Sequence, residues 1–173
     1  MSTTEVHSPD ADSDAGAKHV ALRLEAVVIP VSDVDRAKRF YTSLGWRLDA
    51  DFSFDNGFRV VQFTPPGSPA SVQFGTKLTS AAPGSTQNTY LVVSDIEAAC
   101  DELVALGVDV SGPFHAENPG APFDAGITTG VVAGLAPDRA SYGSYAAFSD
   151  PDGNRWLLQE ITVRLPGRVE DES

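Results

Sequence analysis

Thiol and imidazole are scarce in this chain: 173 residues hold one cysteine and three histidines, and His7 and His19 both fall within the first twenty positions. A single thiol cannot close an internal disulfide, so a core must hold the fold and a reducing cytoplasm is its natural setting. Cys100 lies inside a helical pattern and reads as a small core residue rather than a nucleophile. Positive charge is short as well, with 12 Lys and Arg against 24 Asp and Glu and a net charge of −12. Such a surface repels phosphate backbones and anionic lipid, so neither nucleic acid nor membrane is an expected partner. No apolar run approaches the roughly eighteen residues of a membrane span, and no secretion leader is expected. The glycines of PGAPFDAGITTG lack the Lys-Ser/Thr of a phosphate loop. Asp150, Asp152 and Asn154 lack the closing glutamate of a calcium loop and read as a tight turn.

What the chain does have is a copy of itself. Val27 to Leu48, VVIPVSDVDRAKRFYTSLGWRL, lies over Thr89 to Val110, TYLVVSDIEAACDELVALGVDV, 62 residues on and without a gap. Each copy runs from an apolar β-branched stretch through Ser-Asp into about ten residues of helical periodicity and then Leu-Gly, which spells strand, cap, helix and stop. Ser32 with Asp35, and Ser94 with Glu97, have the spacing of a capping box. Extended segments follow each helix: WRLDADF, FRVVQFT and ASVQFGT in the first copy, VDVSGPF, YGSYAAFSD and RWLLQEITV in the second. The turn SDPDGNRW between the last two is a hairpin signal. The expected fold is therefore α+β, two tandem βαβββ modules curving a mixed sheet around a central cavity.

The boundaries follow from composition. Residues 1–21 are polar, acidic and aperiodic and read as a disordered tail, as do residues 164–173. Residues 22–163 read as one domain, with modules at about 22–77 and 87–163. The second module carries an insert at about 114–141, rich in Gly, Pro and Ala, with Phe114, Phe123 and Ile127 as apolar anchors. Long irregular loops in compact domains often cover binding sites.

Two such modules, the Leu-Gly helix ends and the closing FSDPDGNRWLLQE resemble the vicinal oxygen chelate superfamily, which includes glyoxalases, bleomycin resistance proteins and extradiol dioxygenases. The resemblance covers residues 22 to 163. It implies four inward positions, on the first and last strand of each module, that carry the ligands in metal-using members. Counted onto this chain they are Ala26, Gln73, Asn88 and Glu160. One carboxylate and two neutral amides suit a transition metal poorly, so no metal and no cofactor is expected.

If these positions face inward, alternation places Ser71, Tyr90, Val92, Trp156 and Leu158 beside them, an amphipathic pocket for a flat, partly hydrophobic molecule. Arg59 is a candidate counter-charge, and Phe123 and His115 overhang the pocket from the insert. Glu160, desolvated among apolar neighbours, is expected to have a raised pKa. Two functions follow. One is a metal-free small-molecule binder like the drug-sequestering members of that superfamily, with ligand contacts from Ser71, Gln73, Asn88, Tyr90, Trp156, Leu158, Arg59 and Phe123. The alternative is a cofactor-free or weakly metal-assisted lyase or isomerase in which Glu160 and His115 share proton transfer. A homodimer is expected, because related proteins pair modules within one chain or between two.

Overall fold

The computed structural model describes residues 20–120 and 129–166. Strand β1 (Ala26–Val28) leads into helix α1 (Val34–Ser43) and strands β2 (Arg47–Ser53), β3 (Arg59–Thr64) and β4 (Ser71–Thr76). The plan then repeats with β5 (Thr89–Val93), α2 (Ile96–Ala105), β6 (Phe114–Ala116), β7 (Val131–Ala133), β8 (Ser144–Ser149) and β9 (Arg155–Glu160). The sheets have the orders β1-β4-β3-β2 and β5-β9-β8-β6-β7, and in each the first strand lies parallel to the last. The fold is α+β as expected, with β7 added to the outer edge of the second sheet.

Local chemistry explains both helices, with one correction. The N-caps are Asp33 and Asp95, one residue beyond the serines of the expected capping boxes. Their carboxylates accept the backbone N–H of Arg36 and Ala98 at 2.9 and 3.1 Å. A carboxylate does more than a hydroxyl here, because it also meets the positive end of the helix dipole. Those backbone bonds hold both acids below the usual carboxylate range. Gly45 and Gly107 then turn left-handed at φ 73° and 83°, ending each helix.

The insert differs from the long irregular loop expected. In its described part, β6 and β7 form an antiparallel hairpin and residues Pro137–Arg139 form a tight turn with left-handed backbone at Asp138 and Arg139. The stretch VDVSGPF is likewise not a strand until Phe114. Pro113 has no N–H to give a ladder, and Gly112, at φ 73°, sits outside the extended region. Phe123, Ile127 and most of the two tails lie outside the described residues.

The core sits between the two sheets. Val61, Phe63, Val72 and Phe74 from the first sheet meet Phe148, Trp156 and Leu158 from the second, with Ala37, Tyr41, Ile96 and Cys100 from the helices. Cys100 is thus the core residue expected, and burial pushes its thiol up. Tyr41 joins the halves. Its hydroxyl donates to Asp150 Oδ2 at 3.0 Å and accepts the Trp156 indole N–H at 3.1 Å, all buried. Asp150 in turn accepts the backbone N–H of Asp152 and Asn154, closing the turn that was expected there. The Asn154 amide donates to Pro30 O at 2.8 Å, so the second module's hairpin is fastened to the first module's entry into α1.

Candidate functional site

Side chains on neighbouring strands share a face, so strand register shows which residues line the side of each sheet opposite the helices. On the first sheet one row runs Val28, Gln73, Gln62, Ala50. Gln73 Nε2 donates to Gln62 Oε1 at 2.8 Å, and next to them the Thr64 and Ser71 hydroxyls bond at 2.7 Å. On the second sheet one row is Tyr90, Leu157, Ala147 and the next is Val92, Gln159, Tyr145, Phe114. Val28, Tyr90 and Val92 are about half exposed. Because the opposite rows of both sheets converge on one core, these two open faces point away from each other within the chain.

The expected residues divide along this geometry. Ala26, Ser71 and Gln73 share the first open face, and Tyr90 and Val92 stand on the second. Asn88 immediately precedes β5 in a left-handed conformation, φ 56°, which asparagine tolerates. Its buried Oδ1 has no hydrogen-bond partner among the described residues. Trp156, Leu158 and Glu160 are corrected: they point toward the helices. Val28 pairs with Gln73 and its repeat mate Tyr90 pairs with Leu157, so the last-strand counterpart of Gln73 is Leu157, three residues before Glu160. Leu157 and Gln159 therefore stand on that side of the second sheet, where Leu157 is buried in a small second core with Phe114 and Ala147, and sequence reasoning missed both.

Glu160 has a different task. Its side chain is fully buried, and its carboxylate accepts the backbone N–H of Ile96 at 2.9 Å and two bonds from the Arg139 guanidinium at 3.0 and 2.9 Å. Arg139 reaches on to Asp95 and Glu97 at the start of α2. The expected upward shift of Glu160 is reversed: the Arg139 hydrogen bonds, against the desolvation, hold the acid below its ordinary 4.5. Arg139 itself is pushed up by the same pairing. Arg139 and neighbouring Asp138 both sit at positive φ, 49° and 55°, as does Tyr142 at 69°. Three such conformations in five residues persist only where surrounding bonds over-determine them. Here those bonds include the Arg139 pair and the Tyr142 N–H on Glu160 O at 2.9 Å. Residues 137–142 thus form a strap tied across the end of β9.

Arg59 is also corrected. It lies on the helix side of β3, bidentate to Asp51 at 2.9 Å and bonded to Asp35 of α1, so it is a structural ion pair and offers no charge to the open face. Those bonds hold Asp51 well below the usual carboxylate range. His115 does not meet Glu160. It lines a cavity between the β6–β7 hairpin and the strap, with its Nδ1 3.0 Å from Gly134 O, and Glu160 is not among the described residues of that lining.

These donors do not suit a divalent metal. Ala26 offers a methyl group, Leu157 an isobutyl group, and the Gln73 amide is held by Gln62. Glu160 is turned to the other face and neutralised by Arg139. Among the described residues no group of three or more His, Cys, Asp or Glu could hold a metal ion.

Comparison with known proteins agrees with this architecture. The profile of the Glyoxalase/Bleomycin resistance protein/Dioxygenase superfamily matches residues 18–158. Among solved structures the chain is similar to TnmS3, described as an antibiotic binding protein from Streptomyces sp. CB03234, at 29% identity and TM-score 0.59, over 83% of this chain and 99% of that one. A glyoxalase/bleomycin resistance protein from the same organism shares 29% identity at TM-score 0.56, over 80% of this chain and 100% of that one. A superfamily member from Sphaerobacter thermophilus DSM 20745 shares 27% identity at TM-score 0.59, over 81% and 98%. The comparison with curated proteins returned no match. With two repeated βαβββ units, the second extended by β7, and a profile match over most of its length, the chain belongs to the glyoxalase/bleomycin resistance protein/dioxygenase superfamily.

Proposed function

We propose that the protein binds a flat, partly hydrophobic small molecule on its open faces without a catalytic metal. The observation that carries this reading is the chemistry at the four positions superfamily members use for ligands: Ala26, Gln73, Asn88 and Leu157 supply a methyl, two amides and an isobutyl group. Amides such as that of Gln73 and half-exposed side chains such as those of Val28, Tyr90 and Val92 orient an organic ligand. The likeness to an antibiotic binding protein at 29% identity supports the same reading.

A cavity closed on both sides needs a second copy. One chain turns its two open faces apart, so the face of β1–β4 would meet the face of β5–β9 in a partner, giving a homodimer with two equivalent sites. The half-exposed Val28, Tyr90 and Val92 are then covered. The proton-transfer alternative loses its acid, because the Glu160 carboxylate is committed to Arg139 and Ile96. The test is titration of a panel of planar aromatic antibiotics into the full chain. Gln73→Ala and Tyr90→Ala are expected to weaken a bound member by about tenfold each, or about 1.4 kcal/mol. Binding that ignores both substitutions would move the site elsewhere.

A further inference from the structure

Beside the insert lies a second cavity, which shares Tyr145 with the open face of the second sheet. It measures about 420 Å³ and is lined by His115, Glu117, Pro119, Pro137, Tyr142 and Tyr145, among others. That volume lies within the range of small-molecule sites. The walls are largely apolar and aromatic, and none of the described lining residues is Lys or Arg.

This lining carries one carboxylate, Glu117, and one imidazole, His115, beside the Tyr142 and Tyr145 hydroxyls, which accept the Leu165 N–H and the Gln159 amide N–H at 3.1 Å each. His115 Nδ1 faces the Gly134 carbonyl at 3.0 Å; a carbonyl only accepts, so Nδ1 carries a proton, and in the tautomer this bond selects Nε2 is the acceptor. The Glu117 carboxylate is exposed and makes no ion pair among the described residues. Arg139, the one Lys or Arg between positions 114 and 141, is turned away to Glu160, Asp95 and Glu97. Its two bonds to Glu160 hold the strap that carries Pro137 and Tyr142 on one wall.

The geometry points to this cavity as a binding site for a planar organic cation, such as a protonated aminoheterocycle. Tyrosine rings attract a cation over their faces, the carboxylate of Glu117 neutralises it, and His115 Nε2 accepts from an N–H donor. An anion of the same shape meets one carboxylate and no compensating charge. The net charge of −12 adds a general attraction for cations, which a test has to separate from the site itself.

The experiment is a fluorescence titration of the full chain with 9-aminoacridine, a planar cation at neutral pH, and with 9-anthracenecarboxylate, an anion of similar ring size. The cation is expected to bind at least tenfold more tightly than the anion. Glu117→Gln should lower cation affinity about tenfold and raise that of the anion, and Glu117→Lys should reverse the preference. Asp55→Asn, an equal change of charge on the exposed β2–β3 turn, should leave the cation's affinity unaltered. Equal affinity for the two dyes overturns the proposal. So does an Asp55→Asn effect as large as that of Glu117→Gln, which makes the attraction general. Loss on Tyr90→Ala without loss on Glu117→Gln overturns it too, placing the dye on the open face and leaving the proposed function intact.

Discussion

A buried carboxylate that has lost its counter-ion is among the costlier defects a core can hold, and Glu160 would be one without Arg139. Arg139→Ala is therefore expected to lower the melting temperature more than Glu160→Gln, since the amide still accepts the Ile96 N–H whereas the alanine strands a charge. Because pairing depresses the Glu160 pKa below 4.5, its contribution is fully present above that value and is lost as pH falls through the folded-state pKa. The urea-midpoint gap between wild type and Glu160→Gln should thus be widest near neutrality and narrow toward pH 3. A gap that stays constant over that interval would show the carboxylate is not ion-paired. The orientation of this residue was illegible in the sequence for a physical reason. Trp156, Leu157 and Leu158 are all apolar, so the run carries no alternation to mark its faces. One clue was present: Arg139 is the sole cation of an insert that needs an anchor.

At the scale of elements, the repeat told most of the story. Strand and helix periods are local properties, and the 62-residue offset carried them from one module to the other, so both helices and the strands flanking them were legible. The β6–β7 hairpin was not, because its strands are three residues long and Gly-Pro punctuation masks any alternation. The junction between modules was half legible, as a turn but not as a fastener. Tyr41→Phe tests it. The substitution removes a hydroxyl that bonds both Asp150 and the Trp156 indole in the buried core. A loss of about 1–3 kcal/mol in unfolding free energy is expected, with one cooperative transition retained. A change under about 0.5 kcal/mol would mean that the two bonds carry little of the junction's stability.

For the whole molecule, the division of faces matters most. One core uses the helix side of both sheets, and under the proposed function the two opposite faces are half-sites that self-association completes. Light scattering at micromolar concentration is expected to give twice the 18.3 kDa chain mass, and a monomer at that concentration would contradict the completed-cavity arrangement. Tyr90→Glu, a charge on the open face, should shift the dimer toward monomer. The residue types at the metal positions were visible in the sequence. Which residue on β9 stands there was not, since only register reveals that Leu157 mirrors Gln73.

The central claim, metal-independent ligand binding on the open faces, is tested most directly by calorimetric titration of a planar aromatic antibiotic into untagged protein stripped of metal by chelator. The account predicts saturable binding at about one ligand per chain, with the same affinity before stripping, after stripping and after zinc, iron, nickel or manganese is restored. Binding that vanishes on stripping and returns with one equivalent of metal would contradict it.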